Sequence, residues 1–297
     1  MAAHLYIYIK PSVEWLVYED GQVSSSGCLN MAHSSINRHS SQPLQALLPS
    51  EFSSLPCHVI IASEHSICLS ADLSCSKRNA RAAAEFALQE FSSVKTEELL
   101  SHCHSNRNTH SIEAIDREFF DKLYQSLDGL ALVDVYFDYQ LLPQEADFAT
   151  ALCLGSRLII NQQGLAKSAF QRQAYSVHQS WAQAWWSRLS KAQTDKLKIY
   201  GCLEEFSKNF SELERQEMSK NAIDIELCSP CEAADLEQLL CFQHSFDVKP
   251  KPNSNLLNSH FPALANSYRL QRPAKPLMLA GISLSVICAL FWGSQLF

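Results

Sequence analysis

Glycine is scarce in this chain, with eight among 297 residues, and no two of them are clustered. Loops that bind phosphate need clustered glycines, because their backbone N–H groups must approach the oxygen atoms closely. The chain has neither a Gly-x-x-x-x-Gly-Lys nor a Gly-x-Gly-x-x-Gly motif, and it has no Gly-x-Ser-x-Gly or His-Glu-x-x-His motif. We therefore expect no enzyme activity, no catalytic residue and no bound cofactor.

Metal-binding patterns are also lacking, although the chain has eleven cysteines. Its Cys-x-x-Cys motif, Cys228–Cys231, has no second cysteine pair or histidine pair at short spacing, and the segment His102-Cys103-His104 lies far away in sequence. A structural zinc site takes four such ligands. We predict reduced structural thiols in a cytosolic domain, and no metal site.

Negative charge exceeds positive charge over most of the chain. The formal net charge is −7 overall and −12 for residues 1–247, which excludes the basic face that nucleic-acid binding needs. Residues 248–297 reverse this balance, because they have five cations and no acid. These cations suit anionic headgroups, so we expect contact with membrane lipid and none with nucleic acid.

Charge is absent altogether from Pro276–Phe297 (PLMLAGISLSVICALFWGSQLF). At 1.5 Å per residue, a helix of this length matches the hydrocarbon core of a bilayer, about 30 Å thick. The cations before it, Arg269, Arg272 and Lys275, predict that the preceding domain is cytoplasmic, and the N-terminal segment has no secretory signal. The predicted divisions are a cytoplasmic domain at 1–248, a Pro-rich basic linker at 249–275 and a transmembrane helix at 276–297.

Hydrophobic periodicity predicts a β-hairpin at the N-terminus, with Leu5, Ile7 and Ile9 on one strand and a turn at Asp20-Gly21 after the next. The pattern then predicts, in order, loop with one short helix at 24–56, a strand at 57–62, a helix at 77–91, a strand at 111–115, a helix at 116–127 with an acidic N-cap, and a strand at 130–137.

The second half of the pattern also begins with an extended pair. It predicts strands at 150–160 and 165–170 around a turn at 161–164, a helix at 171–189, a strand at 197–201, a helix at 203–218, a strand at 222–227 and a helix at 231–240. Because a hairpin followed by alternating helices and strands occurs twice, we predict two related α/β halves at about 1–145 and 146–248. Trp181, Trp185 and Trp186 are predicted to pack in the core or at a domain interface.

Four local patterns follow one another along the chain. They are the opening hairpin with Val13-Glu-Trp15-Leu, the segment 83–91 (AAEFALQEF) followed by Glu97 to His102, the segment 155–164 (GSRLIINQQG) and the segment 255–261 (NLLNSHF) before the predicted membrane helix. In this order they resemble protein L of the bacterial type II secretion system. Ser259 departs from a glycine of the family pattern and Asn161 from a basic residue, and the family continues into a periplasmic domain that this sequence does not include.

The resemblance implies an actin-like fold of duplicated ribonuclease-H-like halves, without kinase or ATPase catalysis. In actin-like enzymes the opening hairpin of each half carries an Asp and a Gly that hold phosphate and metal. Here the first hairpin, Ile7 to Trp15, has neither, and the second has Gly155 without an Asp nearby. The resemblance further implies a scaffold at the bacterial inner membrane that anchors the secretion ATPase, contacts protein M of the same machine and forms a homodimer.

The acidic residues on and after helix 77–91 are candidate contacts for the ATPase: Glu85, Glu90, Glu97 and Glu98. The other interpretation is a solvated helix face, since exposed acids usually contribute little to stability or specific binding.

The predicted membrane helix has a strip of small side chains every four residues: Gly281, Ser285, Ala289 and Gly293. Because helices associate in a bilayer by close packing, this strip predicts self-association of the helix, the alternative being a strip that faces lipid or another partner.

Two further functions stay open at this point. One is an actin-like ATPase that retains nucleotide binding, and the other is the related type IV pilus assembly adaptor. The predicted membrane helix argues against the pilus adaptor, which is usually a soluble protein.

Overall fold

The computed structural model describes residues 3–29, 43–143, 148–162, 169–191, 197–201, 204, 206–220, 222–223 and 234–248. Its strands are β1 His4–Ile9, β2 Val13–Glu19, β3 Gln22–Leu29, β4 Cys57–Ile61, β5 Ser66–Asp72, β6 Leu99–Asn106, β7 Thr109–Asp116, β8 Leu132–Phe137, β9 Ala149–Leu154, β10 Arg157–Asn161, β11 Gln171–His178, β12 Leu197–Tyr200 and β13 Ala222–Ile223. The α-helices are α1 Lys77–Phe91, α2 Arg117–Ser126, α3 Gln179–Lys191, α4 Glu212–Ser219 and α5 Asp235–Ser245.

One strand arrangement occurs twice in the chain. The first sheet has the order β3-β2-β1-β4-β8, in which β1 to β3 are antiparallel neighbours and β4 and β8 run parallel to β1. In the second sheet, β11-β10-β9-β12-β13 repeats this order and these directions. The repeated arrangement agrees with the predicted two related α/β halves.

The second sheet contains a part of the first half. Strands β5, β7 and β6 follow β4 in sequence, but β5 pairs with β11, so that the second sheet has eight strands. Helix α1 packs against this insertion through buried Ala84 and Leu88. The largest core cluster likewise contains residues of both halves, such as Ile9, Tyr139 and Leu154. The halves therefore share both a sheet and a core.

Several local predictions are confirmed at the residue level. Asp20 and Gly21 have positive φ values of 51° and 85°, as a tight hairpin turn between β2 and β3 requires. Helix α1 spans the predicted residues 77–91. Helix α2 begins after Asp116, whose side chain accepts a hydrogen bond from the Phe119 N–H at 2.7 Å.

Other predictions were wrong. The chain reverses at Gly155, which has φ +52°, so that 149–161 forms two short strands around a turn at 155–156 and not one strand. Every residue of β9 and β10 is buried, and periodicity gives no turn signal in such a continuous apolar run. Residues 171–178 are strand β11 and not helix, because both of its edges pair, with β10 and with β5.

Further differences concern polar strands and helix ends. Residues 24–29 belong to β3 where loop was predicted, and β5 and β6 were missed altogether. The predicted helix at 203–218 is restricted to α4, which starts at the capping box of Ser211 and Glu214. The boundary predicted near residue 145, the linker and the membrane helix lie outside the described residues.

Candidate functional site

The two opening hairpins meet at the start of the last described helix. Lys10 lies at the turn of the β1–β2 hairpin, and Arg157 follows the turn of the β9–β10 hairpin. Both side chains bind Asp235 at the first position of α5: Lys10 Nζ lies 2.5 Å and Arg157 Nη2 3.3 Å from Asp235 Oδ2. Gly155 lies close to the same aspartate: a Cβ atom built on Gly155 would be 3.6 Å from Asp235 Oδ1. We call this place the hairpin junction.

A second chain of hydrogen bonds continues from Arg157 into the first half. Arg157 Nη2 donates to the Tyr8 hydroxyl at 2.9 Å, and that hydroxyl donates to Asp138 Oδ2 at 2.8 Å. The other oxygen of Asp138 accepts the backbone N–H of Ser63 at 3.0 Å. Tyr8 and Asp138 are fully buried, so these bonds are shielded from water.

Burial and charge shift the pKa values at the junction in different directions. Burial raises the pKa of Asp138 to about 6, against the opposing effect of Arg157 and of the hydrogen bonds from Tyr8 and Ser63. Burial also raises the pKa of Tyr8 well above its usual value, and Asp138 adds to that effect. Burial alone would lower the pKa of Arg157, but the surrounding Tyr8, Asp138, Asp235 and Glu64 raise it. Arg157 therefore stays a cation in the folded protein.

A protein carboxylate occupies the N-terminus of α5. Glu14 Oε2 accepts the backbone N–H of Leu236 at 3.0 Å, and Glu14 also pairs with Lys10. A helix N-terminus is otherwise a natural place for a phosphate group, because its N–H groups are unpaired and its dipole is positive. The Glu14 carboxylate therefore accepts a hydrogen bond that this helix end could otherwise donate to a phosphate group.

The formal charges of the junction also disfavour a polyphosphate. Four carboxylates, those of Glu14, Glu64, Asp138 and Asp235, surround the two cations Lys10 and Arg157. The cluster is therefore negative when all its acids are ionised, and a nucleotide would have to displace existing ion pairs to reach either cation. The arrangement can hold two hairpins and a helix together.

The connection between the two halves is held just beside the junction. Asp138–Leu141 forms a short 3-10 helix after β8. The Tyr139 hydroxyl donates to Glu113 Oε1 at 2.7 Å, and Asn161 Nδ2 donates to the Tyr139 carbonyl at 3.0 Å. Glu113 belongs to the insertion and Asn161 to the second half, so two parts of the fold fix this connection.

The predicted ATPase contacts lie on helix α1 and on the short 3-10 helix that follows it. Glu85 is half-buried and pairs with Arg81 at 2.9 Å. Glu90, near the end of α1, and Glu97 and Glu98, in the short 3-10 helix Thr96–Glu98, are exposed. Three of the four acids are therefore exposed, and their role as a binding site stays a prediction.

The three tryptophans do not share one environment. Trp186 is buried in the second-half core and Trp185 packs against it, as predicted. Trp181 is 71% exposed, which corrects the prediction for this residue: it lies in the first turn of α3, where the helix presents it to solvent. His102, Cys103 and His104 alternate along β6, and within the described ranges no group of three His, Cys, Asp or Glu side chains is arranged to hold a metal ion.

Several predicted residues fall outside the described ranges. They are Arg269, Arg272 and Lys275 before the predicted membrane helix, the small-residue strip Gly281, Ser285, Ala289 and Gly293, and Cys228 and Cys231. In the part of the chain that is described, no helix has the length and hydrophobicity needed to cross a bilayer.

The residues of the junction were missed by the sequence reasoning. Arg157 and Asp235 are far apart in sequence, and Asp138 follows a strand without any motif around it. One signal was available: Lys10 lies between the two predicted strands of the first hairpin, where actin-like enzymes place phosphate ligands, whereas Arg157 was predicted to lie within a strand. The acids that neutralise these two cations were nevertheless not detectable before the fold was known.

The duplicated strand order, with an insertion in the first half, agrees with the predicted actin-like fold. No family model matches the sequence, and no curated protein matches it either. Among solved structures, the fold is similar to the cytoplasmic domain of EpsL, an inner-membrane component of the type II secretion system of Vibrio cholerae. That match has a TM-score of 0.54 at 16% identity and covers 86% of this chain and 98% of that one.

A second solved structure with this fold is the PilM-PilN type IV pilus biogenesis complex. The match has a TM-score of 0.52 at 10% identity and covers 83% of this chain and 99% of the other. The predicted resemblance in fold to protein L of the type II secretion system is therefore confirmed. At these identities the likeness shows the fold.

Proposed function

We propose that this chain is a non-enzymatic scaffold of a type II secretion system, which anchors the cytoplasmic secretion ATPase to the inner-membrane platform. The EpsL cytoplasmic domain is similar over nearly its whole length, and it comes from an inner-membrane component of such a system. The sequence adds the uncharged segment 276–297, which we propose as a single-pass anchor. The further partners would be protein M, a second copy of the chain and membrane lipid.

The observation that carries the non-enzymatic part of the proposal is the filled hairpin junction. Lys10 and Arg157 stand where an actin-like enzyme receives phosphate, and both already form ion pairs, Lys10 with Asp235 and Glu14 and Arg157 with Asp235 and Glu64. Glu14 covers the N-terminus of α5. A scaffold benefits from this arrangement, because it fixes the two halves without a ligand.

Nucleotide titration tests the non-enzymatic assignment. A fluorescent ATP analogue with Mg²⁺ should show no saturable binding to the full chain up to millimolar concentration, and ATP should leave the melting temperature unchanged. The variant Asp235→Asn is the matched comparison, since it removes the carboxylate that both cations share and leaves Lys10 and Arg157 themselves unchanged. Saturable binding by the wild-type chain would favour the actin-like ATPase instead.

Co-purification tests the scaffold role. We propose that the exposed acids Glu90, Glu97 and Glu98, together with Glu85, contact the ATPase. Replacing all four by Lys should lower the amount of ATPase that co-purifies with the full chain at low salt. The control reverses exposed acids on another element, Glu212 and Glu217 of α4. Unchanged recovery with the fourfold variant would reject this surface, and no recovery with wild type would reject the anchoring role.

The pilus assembly adaptor is the second candidate. It is favoured by the similar fold of PilM in the PilM-PilN complex. The uncharged segment 276–297 separates the two proposals, because it would make a separate membrane partner unnecessary. A gene neighbourhood with a secretion ATPase and pseudopilins would support the secretion scaffold, whereas pilus genes around this one would support the adaptor.

A further inference from the structure

The charged side chains of helix α1 are ordered against the helix dipole. Its cations lie in the first half of the helix and its acids in the second half: Lys77, Arg78 and Arg81, then Glu85 and Glu90. A helix dipole favours the opposite order. An ion pair between residues one turn apart also stabilises a helix best when the acid comes first, whereas here Arg81 precedes Glu85. The charge order of α1 therefore does not serve the stability of the helix itself.

The face of α1 that points away from strands β5, β6 and β7 is exposed to solvent. The buried side of the helix consists of Ala80, Ala84, Ala87 and Leu88. The opposite side consists of exposed residues: Arg78, Asn79, Ala82, Phe86 and Gln89. Phe86 is 65% exposed, and Ala82 lies one turn before it on the same side. Because the Ala82 side chain is short, a second helix can approach α1 closely beside the Phe86 ring.

A second copy of the same helix complements this charge order when it runs antiparallel. Arg78 and Glu85 are nearly two full turns apart, so they lie on the same flank of the exposed face. A two-fold axis beside Ala82 sets Arg78 of each helix opposite Glu85 and Phe86 of the other. A parallel pair in register would instead set Arg78 against Arg78 and Glu85 against Glu85. Among the described residues, Arg78 has no ion-pair partner, and Glu85 pairs with Arg81 of its own helix.

We propose that α1 packs antiparallel against α1 of a second copy of this chain, around a two-fold axis beside Ala82. The contact is self-complementary, as a two-fold interface requires, because each copy gives one Arg78 and one Glu85 to two identical ion pairs. The Phe86 ring of each copy covers the aliphatic part of Arg78 of the other. One helix pair is a small interface, so the inference rests on the proposed function: copies held in one membrane meet at a raised effective concentration.

Two single variants with opposite charge test this arrangement. Arg78→Glu and Glu85→Arg are made in full-length chains with two different affinity tags, co-expressed in all combinations and solubilised in mild detergent at low salt. A pair of two Arg78→Glu chains sets the introduced glutamate against the native Glu85 twice. A pair of two Glu85→Arg chains sets the introduced arginine against the native Arg78 twice. The mixed pair has opposite charges at both contacts, and the predicted membrane helix is the same in every combination.

The mixed pair should co-purify as well as wild type, while each variant paired with itself should co-purify roughly tenfold less, as expected from two ion pairs converted to repulsion. Recovery of the mixed pair also shows that both variants fold. Lys77→Glu paired with itself is the control and should co-purify like wild type, since Lys77 is exposed but lies on the side of α1 that Ala84 and Leu88 bury. Equal recovery of all pairs, or no self-association of wild type, would overturn the proposal.

The Phe86 ring gives an independent test of the same face. Phe86→Ala in both tagged chains should lower their co-purification several-fold and leave the melting temperature unchanged, because the side chain is largely exposed in one copy. Leu213→Ala, at an equally exposed apolar side chain of α4, is the control and should change neither quantity. Equal recovery of these two variants would contradict a contact through this face. ATPase recovery with the wild-type chain tests the scaffold role separately.

Discussion

Arg157 shows at the scale of one residue how the junction depends on paired charges. Only 9% of its side chain is exposed, and Asp235, Tyr8 and Glu64 surround it. We predict that Arg157→Met lowers the free energy of unfolding by roughly 3–5 kcal/mol, because it leaves buried acids without a counter-charge. Urea denaturation measures this. The control Arg81→Met, at an exposed pair with Glu85, should change the free energy of unfolding little, and equal losses would contradict the prediction.

Two further residues predict opposite pH effects. Burial, with a smaller effect of Arg157, lowers the pKa of His65 to about 4 in the folded protein, from an ordinary value of 6.5. Between pH 4 and 6.5, His65 is therefore neutral in the folded state and protonated in the unfolded state. Its contribution to stability is therefore present above 6.5 and lost as the pH falls towards 4. Burial raises the pKa of Asp138 to about 6 from 3.8, so its contribution is present at low pH and lost as the pH rises from 4 to 6.

These two contributions should cancel in large part between pH 4 and 6. Removing the His65 contribution in His65→Gln should make the free energy of unfolding fall more steeply than in wild type as the pH rises from 4 to 6. Removing the Asp138 contribution in Asp138→Asn should make it rise over the same range. Each variant should change the slope by up to about 1.4 kcal/mol per pH unit. Urea titrations at several pH values measure the slopes. His104→Gln, at an exposed position, is the control. Slopes that change in the same direction in both variants would contradict the assignment.

At the scale of an element, the N-cap of helix α2 gives a testable prediction. The Asp116 side chain caps it by accepting the Phe119 N–H at 2.7 Å, and Phe119, Phe120 and Leu123 bury one face of the helix. Asp116→Ala should lower the melting temperature, corresponding to roughly 1 kcal/mol of stability. Asp121→Ala, exposed on the same helix, is the matched control and should have little effect. A larger loss from the control would show that the cap does not hold this end.

The elements also show which sequence signals sufficed and which did not. Helices α1 and α2 were predictable, because each has an amphipathic spacing and a capping residue that act locally. Strand β11 was not, because its extended form depends on pairing with β10 and β5, which come from distant parts of the chain. Strands β5 and β6 contain many Ser, His and Cys residues, and their alternation is too weak to separate them from loop.

At the scale of the whole molecule, the repeat was predictable but the sharing of a sheet was not. Two cycles of hairpin and alternating elements lie in the sequence, whereas the seam between β5 and β11 depends on three residue pairs, Ser70–Gln171, Leu69–Arg172 and Cys68–Ala174. In the candidate site, too, local features were predictable and contacts between distant residues were not. Its first hairpin was recognised from local pattern and the turn of its second was not, and the ion pairs that fill the site join residues that are remote in sequence, such as Lys10 and Asp235.

The shared sheet predicts that the two halves unfold together. Leu158 is fully buried in the second-half core, and Leu158→Ala should cost roughly 2–5 kcal/mol. Because β5 joins β11 and the largest core cluster spans both halves, this loss should lower the opening free energy of amides in β1, β4 and β5 as much as that of amides in β9. Hydrogen exchange of the full chain measures these openings strand by strand. Leu213→Ala, where the side chain is 72% exposed, should change none of them. If the variant weakens β9 while β1 and β4 keep their protection, the halves are separate cooperative units and the shared sheet does not couple them.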